Sequence, residues 1–146
     1  MRHELVILSK MINWNKFEDE FAVYYCSNNG RGAKSIRLKM GLTILQSIYD
    51  LSDERVVEDW LRDSYFQYFC GEDYFCHDYP IDPTGLVRFR KKIGEFGMNK
   101  IMQETIRIGA QLKIIKSSRQ RNYLLNCFEI RPFNKEVYKE LFKLLA

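Results

Sequence analysis

Thr84, Arg88, Arg90, Lys91 and Lys92 fall in one short segment that opens Asp82-Pro83 and closes Ile93-Gly94. The chemistry open to such residues is non-covalent. Arg and Lys hold phosphate oxygens, Arg also reads base edges, and a Thr hydroxyl bonds to either. At about 100° per residue, Leu86, Phe89 and Ile93 share one side of a helix, Thr84, Val87, Arg88 and Lys91 the other, and Arg90 and Lys92 the flanks. That layout suits a helix docked by an apolar stripe with its cations turned to the major groove of a duplex. It also suits an ordinary solvated basic face, and this segment alone does not separate the two.

Covalent chemistry finds little support. After Asp82 there is no aspartate, and the later acids are Glu95, Glu104, Glu129, Glu136 and Glu140. Upstream acids sit in the first turns of expected helices or on wet faces, where capping and solvation account for them. The histidines, His3 and His77, suggest no nucleophile-base set, and adjacent Cys76 and His77 point their side chains apart. Cys26, Cys70, Cys76 and Cys127 offer only the spacing C-x5-C-H around His77, without the second ligand pair of a structural zinc site. Phosphate-cradling glycine motifs are absent. The expectation is reduced thiols, no catalytic residue, no bound metal and no cofactor.

Charge is distributed unevenly. Residues 1–82 carry 9 Lys+Arg against 14 Asp+Glu, and residues 83–146 carry 14 against 5, so a net of -5 is followed by a net of +9. The change of sign begins at the cationic segment and points to a polyanionic partner for the second half. The chain of 146 residues is 46% hydrophobic and 14% aromatic, with a mean hydropathy of -0.36. It is long enough for a core rich in aromatic side chains. No run of about 18 apolar residues and no apolar leader after Met1-Arg2-His3-Glu4 is present, so a cytoplasmic protein without a membrane partner is expected.

The elements that must position the cations read as helices throughout. Leu5, Leu8 and Ile12 mark a first helix. Asn13 caps a second, Trp14 to Tyr25, with Trp14, Phe17, Phe21 and Tyr24 or Tyr25 as its buried stripe. Residues 26–32 form a loop. Ser35 caps a helix to Asp50 that is expected to be the central buried one, with Gly41 allowing close approach by a neighbour. Ser52 caps a helix to Arg62, and Ser64 to Cys70 forms a short aromatic one. Glu72 to Ile81 is an irregular connector. The charged helix 82–93 follows, Gly94 and Gly97 break the chain, and a helix returns from Met98 to Ile115. The fold class is all-α: a helical bundle over 1–115 in which helices 53–62 and 82–93 flank a shorter one in a helix-turn-helix-like arrangement. Residues 116–146 form a basic tail ending in an amphipathic helix, 135–145.

These residues resemble a known family. Gly32-Ala33-Lys34-Ser35-Ile36-Arg37-Leu38-Lys39-Met40-Gly41-Leu42-Thr43-Ile44-Leu45, Tyr49-Asp50-Leu51-Ser52-Asp53-Glu54, Trp60 with Tyr65-Phe66-Gln67-Tyr68-Phe69-Cys70-Gly71, and Asp82-Pro83-Thr84-Gly85-Leu86-Val87-Arg88-Phe89-Arg90-Lys91-Lys92-Ile93-Gly94 are similar, in one register, to the N-terminal region of insertion-sequence transposases of the IS-five (InsH-like) group. The resemblance implies a helical domain that binds double-stranded DNA at the terminal inverted repeats of an element, with Thr84, Arg88, Lys91 and Lys92 facing the DNA. In that family a DDE catalytic domain with a divalent metal follows. Here Tyr123-Leu124-Leu125-Asn126-Cys127-Phe128 stands where the first catalytic aspartate is expected, and the tail departs from the family. The resemblance therefore implies a transposase lacking its catalytic core, with metal needed only by the missing part. Two alternatives remain: an interaction module that forms a homodimer or pairs with and inhibits intact transposase, and a helix-turn-helix regulator.

Overall fold

Polar residues set the helix starts. In the computed structural model, which describes residues 3–25 and 35–111, a side chain just ahead of each of the first five α-helices accepts a backbone N–H from its first turn. The helices are α1 (Glu4–Met11), α2 (Trp14–Phe21, followed by a 3-10 turn, Ala22–Tyr24), α3 (Ile36–Tyr49), α4 (Asp53–Arg62), α5 (Ser64–Phe69) and α6 (Pro83–Gln111). Asn13, Ser35 and Ser52 act as caps at the expected positions. His3 also caps, its Nδ1 accepting from Leu5 N at 3.3 Å. Each such cap satisfies a donor the helix cannot and stabilises by about 1 kcal/mol. The architecture is all-α, with no strand among the described residues. The expected loop at 26–32, the basic tail and its helix 135–145 lie outside the described residues.

The chain divides into two units, Asn13–Ile93 and Met1–Ile12 with Gly94–Ala146. In the first, α3 is central, as its apolar pattern requires. Leu38 through Leu45 are buried without a break, so neighbours cover the helix on all sides. Gly41 makes one of these contacts possible: a Cβ there would lie 2.8 Å from Cys70 Sγ and 3.2 Å from Cys70 Cα. The expected aromatic core is present. Trp14 meets Phe69 edge-on at 5.3 Å, Phe21 meets Phe89 edge-on at 6.3 Å, and Tyr49 lies 5.2 Å from Phe66.

The connector between α5 and α6 is held from inside. Gln67, only 2% exposed, donates to Trp60 O at 3.1 Å and to Cys76 O at 2.9 Å, and accepts from Cys76 N at 2.7 Å. One buried amide thus replaces the ladder partners that this irregular backbone lacks.

In the second unit α1 buries Leu5, Val6 and Leu8. Arg107 donates to Met11 O at 3.1 Å and pairs with buried Glu104. The break expected over Gly94 and Gly97 is narrower than the sequence suggested. Only Gly94 leaves helical geometry, at φ 62 and ψ -170, and the helix resumes at once with Gly97 inside it. A glycine with positive φ marks the point where one helical stretch ends and the next begins.

Candidate nucleic-acid interface

The first segment of α6, residues 83–93, is set by its own sequence. Asp82 Oδ1 accepts from Thr84 N at 2.9 Å and from Thr84 Oγ1 at 2.6 Å. The Thr84 hydroxyl bond, then its backbone bond, hold this exposed carboxyl below its usual range. Pro83 follows, where its missing N–H costs nothing. Leu86, Phe89 and Ile93 are buried as the periodicity requires, which stabilises the docking by about 1.5–3 kcal/mol per side chain.

The five candidate residues separate into two groups. Thr84, Arg88, Lys91 and Lys92 are exposed. Arg88 Nη2 donates to Thr84 Oγ1 at 3.0 Å, one turn back, so Asp82, Thr84 and Arg88 form a short relay along the helix surface. Lys92 Nζ lies 4.3 Å from the centre of the Tyr25 ring. Among the described residues no carboxylate forms an ion pair with Arg88, Lys91 or Lys92.

Arg90 departs from the expected outward role. Its guanidinium grips Asp53 through two bonds, 2.8 and 2.9 Å, and donates to Gln46 Oε1 at 3.1 Å. Gln46 Nε2 in turn donates to Asp53 Oδ1 at 2.7 Å and to Leu51 O at 3.3 Å. The Arg90 bond is the main reason the Asp53 carboxyl sits below its usual range. Arg90 therefore clamps the 83–93 segment to the end of α3 and the start of α4. A signal for this was present: Arg90 lies four residues after Leu86 and three before Ile93, on the rows that bury.

Two residues join the site that sequence reasoning did not select. Lys39 of α3 is 8% exposed, and its Nζ lies 4.0 Å from the centre of the same Tyr25 ring. Its ammonium pKa is pushed down, first by burial and then by the nearby Lys92 charge, while burial pushes the Tyr25 phenol up. Tyr25, Lys39, Ile81, Gly85, Arg88 and Lys92 line a cleft of about 330 Å³, with Phe89 and Asp82 also in its wall. Lysine stems bury readily while the charged head stays reachable, so a Lys in an apolar run is easily read as neutral filler.

A second cleft, about 580 Å³, has the opposite character: Glu54, Glu58 and Asp82 line it with Tyr79, Pro80 and Pro83. Among the described residues no three His, Cys, Asp or Glu side chains gather to hold a metal. Cys70 is buried, and burial drives its thiol pKa far above the ordinary range, so it is a packing group rather than a nucleophile. No described helix is long and apolar enough to cross a membrane.

Comparison with known proteins adds three findings. Residues 1–92 match the family model described as transposase domain (DUF772). The chain is 38% identical over 110 residues to a protein of Rhizobium meliloti described as uncharacterized protein ORF8 in the nfe locus. That match takes in 75% of this chain and 53% of the relative, so the chain spans about half of the relative's length. No solved structure matches.

Proposed function

The chain belongs to the transposase-domain (DUF772) family, and from that premise we propose that residues 83–93 carry a DNA contact by which an insertion sequence's terminal inverted repeats are recognised. The role is that of the DNA-binding part of an IS-five-type transposase, with α4, α5 and the start of α6 acting as a helix-turn-helix-like unit. Thr84, Arg88, Lys91 and Lys92 make the contact. Arg90 is left to fix the helix that presents them, and no strand-transfer step is assigned to this chain.

The observation that carries the reading is the cationic outer face of residues 83–93: Arg88, Lys91 and Lys92 stand exposed on a helix whose other side is locked by Leu86, Phe89, Ile93 and Arg90. Rigid placement matters, because a charge held in register loses little freedom when it meets a phosphate. Acidic Glu54 and Glu58 of α4, both exposed, disfavour approach of a duplex from their side.

A mobility-shift titration on duplexes from the ends of the element tests this. Arg88→Ala with Lys91→Ala is expected to weaken binding by on the order of tenfold or more, and to reduce the salt slope by about 2. Unchanged affinity and slope would remove the helix from the interface.

A further inference from the structure

We infer that the cleft between Tyr25, Lys39 and residues 81–92 is a seat for one phosphoryl group, held by Lys39, Lys92 and the Arg88 fork. The inference deepens the DNA reading and rests on it only for where the phosphoryl group comes from.

Geometry leads to this. Both ammonium groups lie against one ring, at 4.0 and 4.3 Å from its centre, so the two nitrogens are within about 8 Å of each other. A phosphoryl group that takes a charge-assisted bond of about 2.8 Å at each of two oxygens reaches two nitrogens at separations up to about that limit when both open on one cleft, as Lys39 and Lys92 do. Arg88 lines the same cleft. Its pose is fixed by Thr84.

Charge leads the same way. The Lys39 stem is buried and its ammonium is partly desolvated beside the Lys92 charge, so two cations share one cleft. Among the described residues the carboxylate in the cleft wall is Asp82, which already accepts two bonds from Thr84 through one oxygen. The Tyr25 face offsets part of the cost through its quadrupole. An anion shared by both lysines offsets more, and a tetrahedral group with several free oxygens meets three donors better than a planar carboxylate does. Gly85 and Ile81 keep the rest of the wall small and apolar: a Cβ at Gly85 would lie 2.7 Å from the Ile81 side chain.

The test uses the full chain and inorganic phosphate, with chloride matching the ionic strength. Phosphate is expected to raise the thermal midpoint above the chloride control, saturably. Lys39→Met and, separately, Lys92→Met should weaken the fitted phosphate affinity at least about tenfold, Lys39→Arg should keep it within about threefold, and exposed Lys16→Met on α2 should leave it unchanged. If Lys39→Met does not fold, Lys92→Met still decides. No rise beyond chloride, or the same rise in the lysine variants, overturns the site.

Competition then assigns the source. A short duplex bearing 5′-phosphates that displaces phosphate about tenfold better than its 5′-hydroxyl counterpart assigns an end phosphomonoester. Equal displacement by both assigns a backbone diester. Displacement by neither, with phosphate binding still sensitive to Lys39, keeps the phosphoryl seat and sinks the DNA reading instead.

Discussion

Arg88 and Arg90 lie two positions apart on one helix, and the two sides they belong to behave as different materials. On the Arg90 side a guanidinium, a carboxylate and an amide close on one another between α3, α4 and the 83–93 segment, next to Leu86 and Ile93. On the Arg88 side the cations face water, and among the described residues none of them forms an ion pair. The same residue type is structural in one place and available in the other. Proximity to the apolar rows, rather than residue type, decides which.

Four measurements put that contrast at risk. The largest effect belongs to the buried side: Phe89→Ala, which removes the ring packed on Phe21, should cost about 3–4 kcal/mol of unfolding free energy by chemical denaturation. Next, Arg90→Ala leaves Asp53 half-buried beside Gln46 and should cost about 1.5 kcal/mol. That figure is discounted because both members of the pair keep some solvent exposure. Equal losses for Arg90→Ala and Arg88→Ala would erase the distinction.

Acid titration gives a smaller, signed effect. Asp53 has its folded pKa lowered, so its contribution is complete at neutral pH and is lost as pH falls from the ordinary carboxylate value down through the lowered folded one. Stability should fall on acidification, and Asp53→Asn should flatten that fall; the same acid slope in both proteins would refute the assignment. The smallest effect belongs to the wet side. Arg88→Ala with Lys91→Ala should change stability by less than about 0.5 kcal/mol, so that any loss of duplex binding is not a loss of fold.

The sequence revealed the helices more fully than the site. Asn13, Ser35, Ser52 and Asp82 marked helix starts because a cap is a local interaction, complete within three residues. The buried row Leu86, Phe89, Ile93 was legible for the same reason: periodicity needs no knowledge of the partner. Arg90's place beside that row was legible too, but its partners were not, since Gln46 and Asp53 are 44 and 37 residues away. Lys39 and Tyr25 were missed likewise, as only the folded chain brings α3, the turn after α2 and the 83–93 segment to one cleft. The break expected at Gly94 is present, while Gly97 stays inside the helix that follows.

Gln67 carries one more consequence. By fastening Cys76 midway, it turns the irregular span between α5 and α6 into two short closures, each with a small entropy of its own. The exposed stretch on the far side of that anchor, His77 to Tyr79, is thereby uncoupled from the spacing of the helices it joins. Substitutions or insertions in that tip should therefore leave the cationic helix in register.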